Sequence, residues 1–184
     1  MASLSLSEIQ DVIFASVAAE HSKRFDLKIT MGVATEEALE DLDELRAHER
    51  LQWHANLKVG KNFSPASNPE HEITAVVYYG GPVDGYCCIG YALGCINAEG
   101  TAVEITHMEK RRDAGSEWCS KFLPLIVDAV TSYSLYLNSA KLANICKLAL
   151  VGPLPGVRKY YQEQGFEYFA DYLCTDAMVK FIDQ

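Results

Sequence analysis

A short segment after a predicted strand combines basic side chains with a glycine. Lys110, Arg111 and Arg112 are followed by Asp113-Ala114-Gly115-Ser116, and an apolar, helix-like stretch lies just beyond. Free backbone N–H groups at the start of a helix bind anions, and neighbouring cations add to the attraction. The segment therefore predicts a phosphate-binding loop, while a helix cap with a solvated basic flank would leave the same pattern.

Two side chains just before this segment could accept a proton. Glu104 is a carboxylate in an otherwise apolar run, where burial would raise its pKa toward a value useful for a general base, unless it faces solvent. His107 is the second choice, because a histidine in such a run more often makes a structural hydrogen bond. Together they indicate acid–base chemistry close to the phosphate-binding loop.

The first seventy residues are predicted to form a helix, a strand, a second helix and a loop. Apolar residues at helical spacing predict each helix, strict alternation predicts the strand, and Gly, Pro, Asn and Ser residues predict the loop. The predicted ranges are a helix behind Ser7 to about His21, a strand from Phe25 to Val33, a helix capped by Thr35 that could continue, bent, toward Leu57, and a loop from Lys58 to His71.

The remaining residues predict a mixed sheet. Three strand-like runs with short connections favour an antiparallel meander, and a helix between two strands favours a parallel, right-handed crossover. Gly115 leads into this helix, although Pro124 is unfavourable in a helix interior. The predicted elements are strands Ile73 to Tyr79, Tyr86 to Ile96 and Ala102 to Met108, a helix around Trp118 to Tyr133, a strand Leu148 to Val151, a helix from about Val157 to Gln164, and strands Phe166 to Tyr172 and Met178 to Ile182.

Composition limits the classes of protein that fit. The 184 residues, 49% of them hydrophobic, suffice for one domain around one core. The net charge of −9 argues against general nucleic-acid binding, which depends on Lys and Arg neutralising phosphates. No run approaches the roughly 20 apolar residues of a membrane span, and the start lacks the features of a secretion signal, so we expect a cytoplasmic protein.

Six cysteines are present, without a Cys-x-x-Cys pair and without a histidine at zinc-ligand spacing. We expect them to be reduced residues that pack in the interior, and we expect no metal.

Two motifs, together with this order of elements, resemble the Gcn5-related N-acetyltransferase (GNAT) family. Tyr161-Gln162-Glu163-Gln164-Gly165-Phe166 is similar to the family's Tyr-x-x-x-Gly-Phe signature. Arg112-Asp113-Ala114-Gly115-Ser116-Glu117 stands where the family has Gln/Arg-x-x-Gly-x-Gly/Ala, with Glu117 in place of a small residue. The resemblance is best over Ile73 to Ile182. It implies a single α/β, GNAT-like domain over residues 1–184, with a mixed central sheet of antiparallel meander plus parallel crossover flanked by helices.

This resemblance implies an enzyme that transfers an acetyl group from acetyl-CoA to an amine of a small molecule or of a protein. Tyr161 matches the tyrosine that protonates the departing thiolate, and Glu104 would be the base. The implied cofactor-binding residues are His107, Met108, Arg111, Arg112, Asp113, Ala114, Gly115 and Ser116. The acidic helix from Glu36 to Glu44 would favour a cationic amine. A homodimer is expected by analogy alone.

Two other functions fit the same residues. In a binding module the fold would persist without catalysis, because Glu117 opposes a diphosphate and the turn Gly152-Pro153-Leu154-Pro155-Gly156 is irregular. In a nucleic-acid-base-modifying relative the acceptor would be a base, against which the acidic charge counts.

Overall fold

The computed structural model describes residues 4–55 and 66–182, which form one mixed sheet with helices on both faces. The helices are α1 (Leu6–Phe25), α2 (Glu36–Ala47), α3 (Phe122–Ser139) and α4 (Arg158–Glu163). The strands are β1 (Ile29–Val33), β2 (Glu72–Gly81), β3 (Gly85–Ile96), β4 (Ala102–Lys110), β5 (Lys147–Val151), β6 (Glu167–Tyr172) and β7 (Thr175–Phe181).

The strands lie in the order β1-β2-β3-β4-β5-β7-β6. Neighbours are antiparallel except β4 and β5, which are parallel because α3 carries the chain back across the sheet. The predicted α/β class, with an antiparallel meander followed by a parallel crossover, is confirmed. Each predicted strand of the meander lies within the observed β2, β3 or β4.

The first helix is longer than predicted at both ends. Its cap is Ser5, whose side chain accepts the N–H of Glu8 while the Glu8 carboxylate accepts the N–H of Ser5. The helix continues to Phe25 and stops where Asp26 adopts the left-handed conformation, with φ 51°. Phe25 therefore belongs to the helix, and the strand predicted from there begins only at Ile29.

The second helix starts as predicted and ends early. Thr35 caps it by accepting the N–H of Ala38. The helix stops at Ala47, and Glu49 turns the chain with φ 57°, which brings Leu51 into the core at 2% exposure. The predicted continuation toward Leu57 is thus wrong for residues 48–55, and residues 56–65 of that continuation and of the predicted loop lie outside the described residues.

The crossover helix begins later than Gly115 suggested. Ser116–Trp118 form a 3-10 turn, Ser120 has φ 57°, and α3 starts at Phe122. Pro124 is therefore in the first turn of α3, where a missing N–H costs nothing because that group has no helical acceptor.

The two faces of the sheet pack against different helices. The largest cluster of buried side chains joins one face to α1 and α3 and includes Phe14, Ile126 and Leu150. The opposite face packs against α2 through Leu42 and, beyond β4, forms a smaller cluster around Ala149. Strand alternation thus assigns every β residue to the α3 face or to the α2 face.

All six cysteines are free, but only Cys88 and Cys95 are buried. The predicted packing role is therefore wrong for the other four, which are exposed. Within residues 4–55 and 66–182, no helix is long and apolar enough to cross a bilayer. The same residues contain no group of three or more His, Cys, Asp or Glu side chains that could hold a metal ion.

Candidate active site

The central parallel strands pair briefly and then separate. Their last pair joins Ile105 of β4 to Leu150 of β5. Beyond it Val151 pairs with β7, while β4 continues to Lys110 beside β3. Among the described strands, none pairs with the β5-side edge of β4 from Thr106 onward, so its backbone groups are available to another extended chain.

A cavity of about 330 Å³ occupies the gap where the two strands part. Its walls come from both sides of the sheet, because they include Tyr161 from the α3 face and Trp53 from the segment after α2. The lining residues are Trp53, Ile105, Thr106, His107, Met108, Leu150, Val151, Gly152, Pro153, Leu154, Val157 and Tyr161.

Tyr161 is the predicted catalytic residue that the structure brings to this cavity. It lies on α4 with its ring against Phe166, at 6.1 Å between centroids, and beside Tyr160, at 5.9 Å. Among the described residues its hydroxyl has no hydrogen-bond partner. Burial, followed by the nearby Tyr160, raises the pKa of Tyr161, so the hydroxyl keeps its proton at neutral pH and can donate it.

Several solved structures share this fold. No protein-family model and no curated protein matches the sequence. A candidate N-acetyltransferase from Lactobacillus plantarum superposes with a TM-score of 0.54 at 14% identity, over 84% of this chain and 97% of that one. An acetyltransferase from Salmonella typhimurium that modifies the N-terminal serine of ribosomal protein L7/L12 superposes with a TM-score of 0.52 at 10% identity, over 85% and 96%.

A third match holds coenzyme A. It is N-acetylglutamate synthase from Neisseria gonorrhoeae in complex with coenzyme A and N-acetyl-glutamate, with a TM-score of 0.50 and 11% identity. This chain covers only 35% of that protein, whereas 85% of this chain is aligned. The chain has the GNAT fold. The resemblance seen in the sequence is thereby confirmed at the level of the fold.

In this GNAT fold, the predicted phosphate loop lies between β4 and α3 but is partly covered. Among the described residues, the N–H groups of Ser116, Glu117 and Ser120 have no hydrogen-bond acceptor, as an anion site requires. The Glu117 carboxylate, however, folds back over Gly115, where a Cβ would lie 2.1 Å from its Oε2 atom. An incoming diphosphate would meet a negative charge at this place.

The basic residues of the loop are unequally available. Arg111 donates two hydrogen bonds to the Asp113 carboxylate, at 2.7 and 2.8 Å, and another to the carbonyl of Cys88. This pairing, supported by Arg50 at 3.2 Å, lowers the pKa of Asp113 to about 2. Arg111 and Asp113 are thus engaged with each other, whereas Arg112 is exposed.

Glu104 lies on the α2 face just before the strands part. It is 3% exposed, and its Oε1 atom accepts the hydroxyl of Tyr172 at 2.8 Å. Burial raises the pKa of Glu104, while the Tyr172 hydrogen bond and nearby Lys147 act in the opposite direction. Glu104 does not line the cavity, so its role as base stays a prediction.

A β-bulge at Thr106 determines on which face of the sheet each of the following β4 side chains lies. Ile105 pairs with Gly94 and His107 pairs with Leu93, so Thr106 is the extra residue. His107 therefore shares the α2 face with Leu93, and Met108 returns to the α3 face. The His107 Nδ1 atom lies 2.9 Å from the Thr106 hydroxyl, which also lies 3.3 Å from the Leu93 carbonyl.

The sequence did not single out two residues that shape the cavity. Trp53 lines it, and the Glu109 carboxylate accepts the N–H groups of Gln52 at 2.7 Å and Trp53 at 3.1 Å. Trp53 fell within the predicted continuation of the second helix toward Leu57, so nothing in the sequence marked it as part of a cavity wall. Its partner, more than fifty residues further along the chain, left no pattern.

Proposed function

We propose that this chain is an N-acetyltransferase that uses acetyl-CoA. The main support is the separation of β4 from β5 beside Tyr161, since it leaves an unpaired strand edge next to a protonated hydroxyl. Proteins of the same fold include an acetyltransferase that modifies ribosomal protein L7/L12 and a synthase in complex with coenzyme A.

The residues present fit acetyl-CoA in the cleft and require one adjustment in the loop. The free edge of β4 from Thr106 to Met108 could bind the amide groups of the pantetheine arm. The N–H groups of Ser116 and Ser120, with exposed Arg112, could bind the diphosphate once Glu117 rotates away from Gly115. Glu117 is exposed, and its carboxylate accepts no hydrogen bond among the described residues, so this rotation breaks none.

The proposed chemistry assigns one proton to each side of the cleft. Bound acetyl-CoA supplies the acetyl group as a thioester; a nitrogen–carbon bond forms and the carbon–sulfur bond breaks. The amine loses one proton, for which His107 on the α2 face is the base we propose. Tyr161 on the opposite wall returns a proton to the thiolate. Glu104, which precedes His107 on the same face of β4, could accept the amine proton through a water molecule.

Calorimetry of the full chain with acetyl-CoA, followed by a thiol-release assay with several amines, tests the proposal. We expect saturable binding of acetyl-CoA and amine-dependent release of free thiol. Absence of both would refute the proposed function.

The Glu117 carboxylate favours one alternative, a binding module whose cofactor site is altered. In that case titration with acetyl-CoA would show no heat of binding for the wild type or for Glu117→Gln. Binding that appears only in Glu117→Gln would identify this carboxylate as the block.

A further inference from the structure

Trp53 presents an indole ring at the α2-face mouth of the cleft. Its side chain is 44% exposed, whereas the other tryptophan of the chain, Trp118, is 1% exposed. A large aromatic ring left half in solvent at the wall of a cavity can still gain apolar contact when a ligand covers it.

The backbone beneath Trp53 is held firmly in place. Glu109 accepts two consecutive N–H groups, those of Gln52 and Trp53. On the preceding side, the Arg50 carbonyl accepts the N–H of Arg112 at 3.0 Å, and Leu51 is buried in the core. The backbone that carries the indole is thus ordered before any ligand arrives, which reduces the entropy lost on binding.

Another wall of the cavity is also apolar. It consists of the turn after β5 and the start of α4, and Leu154 there is 60% exposed. Pro153 and Val157 complete it. Among the described residues that line the cavity, none is Asp or Glu, and none comes from the acidic helix α2. The expectation that this helix selects a cationic acceptor therefore finds no support in the cavity.

An apolar wall suits the amine chemistry. Removing an ammonium group from water favours its neutral form and lowers its pKa, and only the neutral amine is a nucleophile. A polycation would lose hydration of several charges without a carboxylate to replace it. A single amine on an apolar body loses less and gains contact with Trp53 and Leu154.

We propose that the acceptor is a primary amine carried on a compact aromatic or branched apolar body, which Trp53 binds and which Glu109, as a positioning residue, helps to select. This inference rests on the proposed function and adds the acceptor class to it.

The test compares phenethylamine with spermidine and with free lysine in the thiol-release assay. We expect kcat/KM to be at least tenfold higher for phenethylamine than for either polar amine. Trp53→Ala should raise KM for phenethylamine at least tenfold, with kcat and the Kd of acetyl-CoA changed less than threefold. Trp53→Phe should keep KM within about threefold, and Glu109→Gln should raise it severalfold, because an amide has one acceptor oxygen for two N–H groups.

A control and a binding measurement separate the outcomes. Leu142→Ala removes another exposed apolar side chain, outside the cavity, and should change neither KM for phenethylamine nor kcat. Phenethylamine should quench the fluorescence of the wild type saturably, and the quenching should be lost in Trp53→Phe, where only buried Trp118 emits.

Thiol release with spermidine but not phenethylamine, or equal KM effects of Trp53→Ala on both amines, would overturn the acceptor class and leave the acetyltransferase intact. Failure of acetyl-CoA to bind would instead refute the proposed function. In that case saturable quenching that depends on Trp53 would still support an apolar amine site, and its absence would refute that too.

Discussion

Replacing Tyr161 by phenylalanine removes one hydroxyl from the cleft and little else. The ring contacts with Tyr160 and Phe166 remain, and the hydroxyl has no hydrogen-bond partner among the described residues. The free energy of unfolding should therefore change by less than about 0.5 kcal/mol. Any larger loss of activity must then come from the chemistry and not from the fold.

The size of that loss follows from the role proposed for the hydroxyl. A positioned general acid contributes roughly 10² to 10⁴ in rate. The cavity that Tyr161 lines is large enough to hold water, which can replace the acid in part, so we expect the lower limit, about a 100-fold fall in kcat. This corresponds to roughly 2.7 kcal/mol of transition-state stabilisation, while KM for acetyl-CoA should change less than threefold.

The assay is steady-state thiol release with the best amine of the panel, measured from pH 6 to pH 10.5. Burial raises the pKa of Tyr161, so the wild type should keep its protonated hydroxyl, and its kcat, past the ordinary tyrosine value of 10. Tyr160→Phe is the matched control, because Tyr160 lies beside Tyr161 on α4 but does not line the cavity.

A kcat for Tyr161→Phe within threefold of the wild type, at unchanged stability, would refute the acid role. Equal losses in Tyr160→Phe and Tyr161→Phe would show that α4 acts through packing.

Three other substitutions test the surroundings of the cleft. Glu117→Gln removes the negative charge over Gly115 and should tighten acetyl-CoA binding by roughly tenfold in calorimetry, an effect that weakens with added salt. Glu104→Gln should stabilise the fold, because burial raises the pKa of Glu104 and the wild type therefore loses stability as the pH rises above the ordinary value of 4.5. The urea midpoints of the wild type and the variant should coincide near pH 4 and separate toward pH 7. Glu163→Gln, at an exposed position, is the control. Gly94→Ala places a Cβ 2.1 Å from the Glu104 carbonyl oxygen and should cost about 3 kcal/mol in the same assay, whereas Gly81→Ala, with nothing within 4 Å, should cost almost nothing.

Local patterns were sufficient for the three strands of the meander. Residues of β2, β3 and β4 alternate or run apolar between short turns, so each strand could be placed from its own residues. The same holds for Thr35, whose capping role depends only on residues up to Ala38. These features, each determined within its own segment, were predicted correctly.

Features that depend on a wider structural context were not predicted correctly. The start of α3 was predicted around Trp118 and lies at Phe122, because Gly115-Ser116 has the composition of a helix start but leads into a 3-10 turn. Trp53 owes its position to Glu109, and no periodicity connects two segments so far apart. The residues that line the mouth of the cleft therefore became apparent only in the structure.

The bulge at Thr106 shows why the candidate base could not be chosen from the sequence. In an uninterrupted strand, residues 104, 106 and 108 would share one face, and His107 would point toward α3. The extra residue reverses this order beyond Ile105, so His107 and Glu104 lie on the same face while Met108 packs with the α3 cluster. One inserted residue thus moves an imidazole from the packed face to the mouth where we propose that the amine enters.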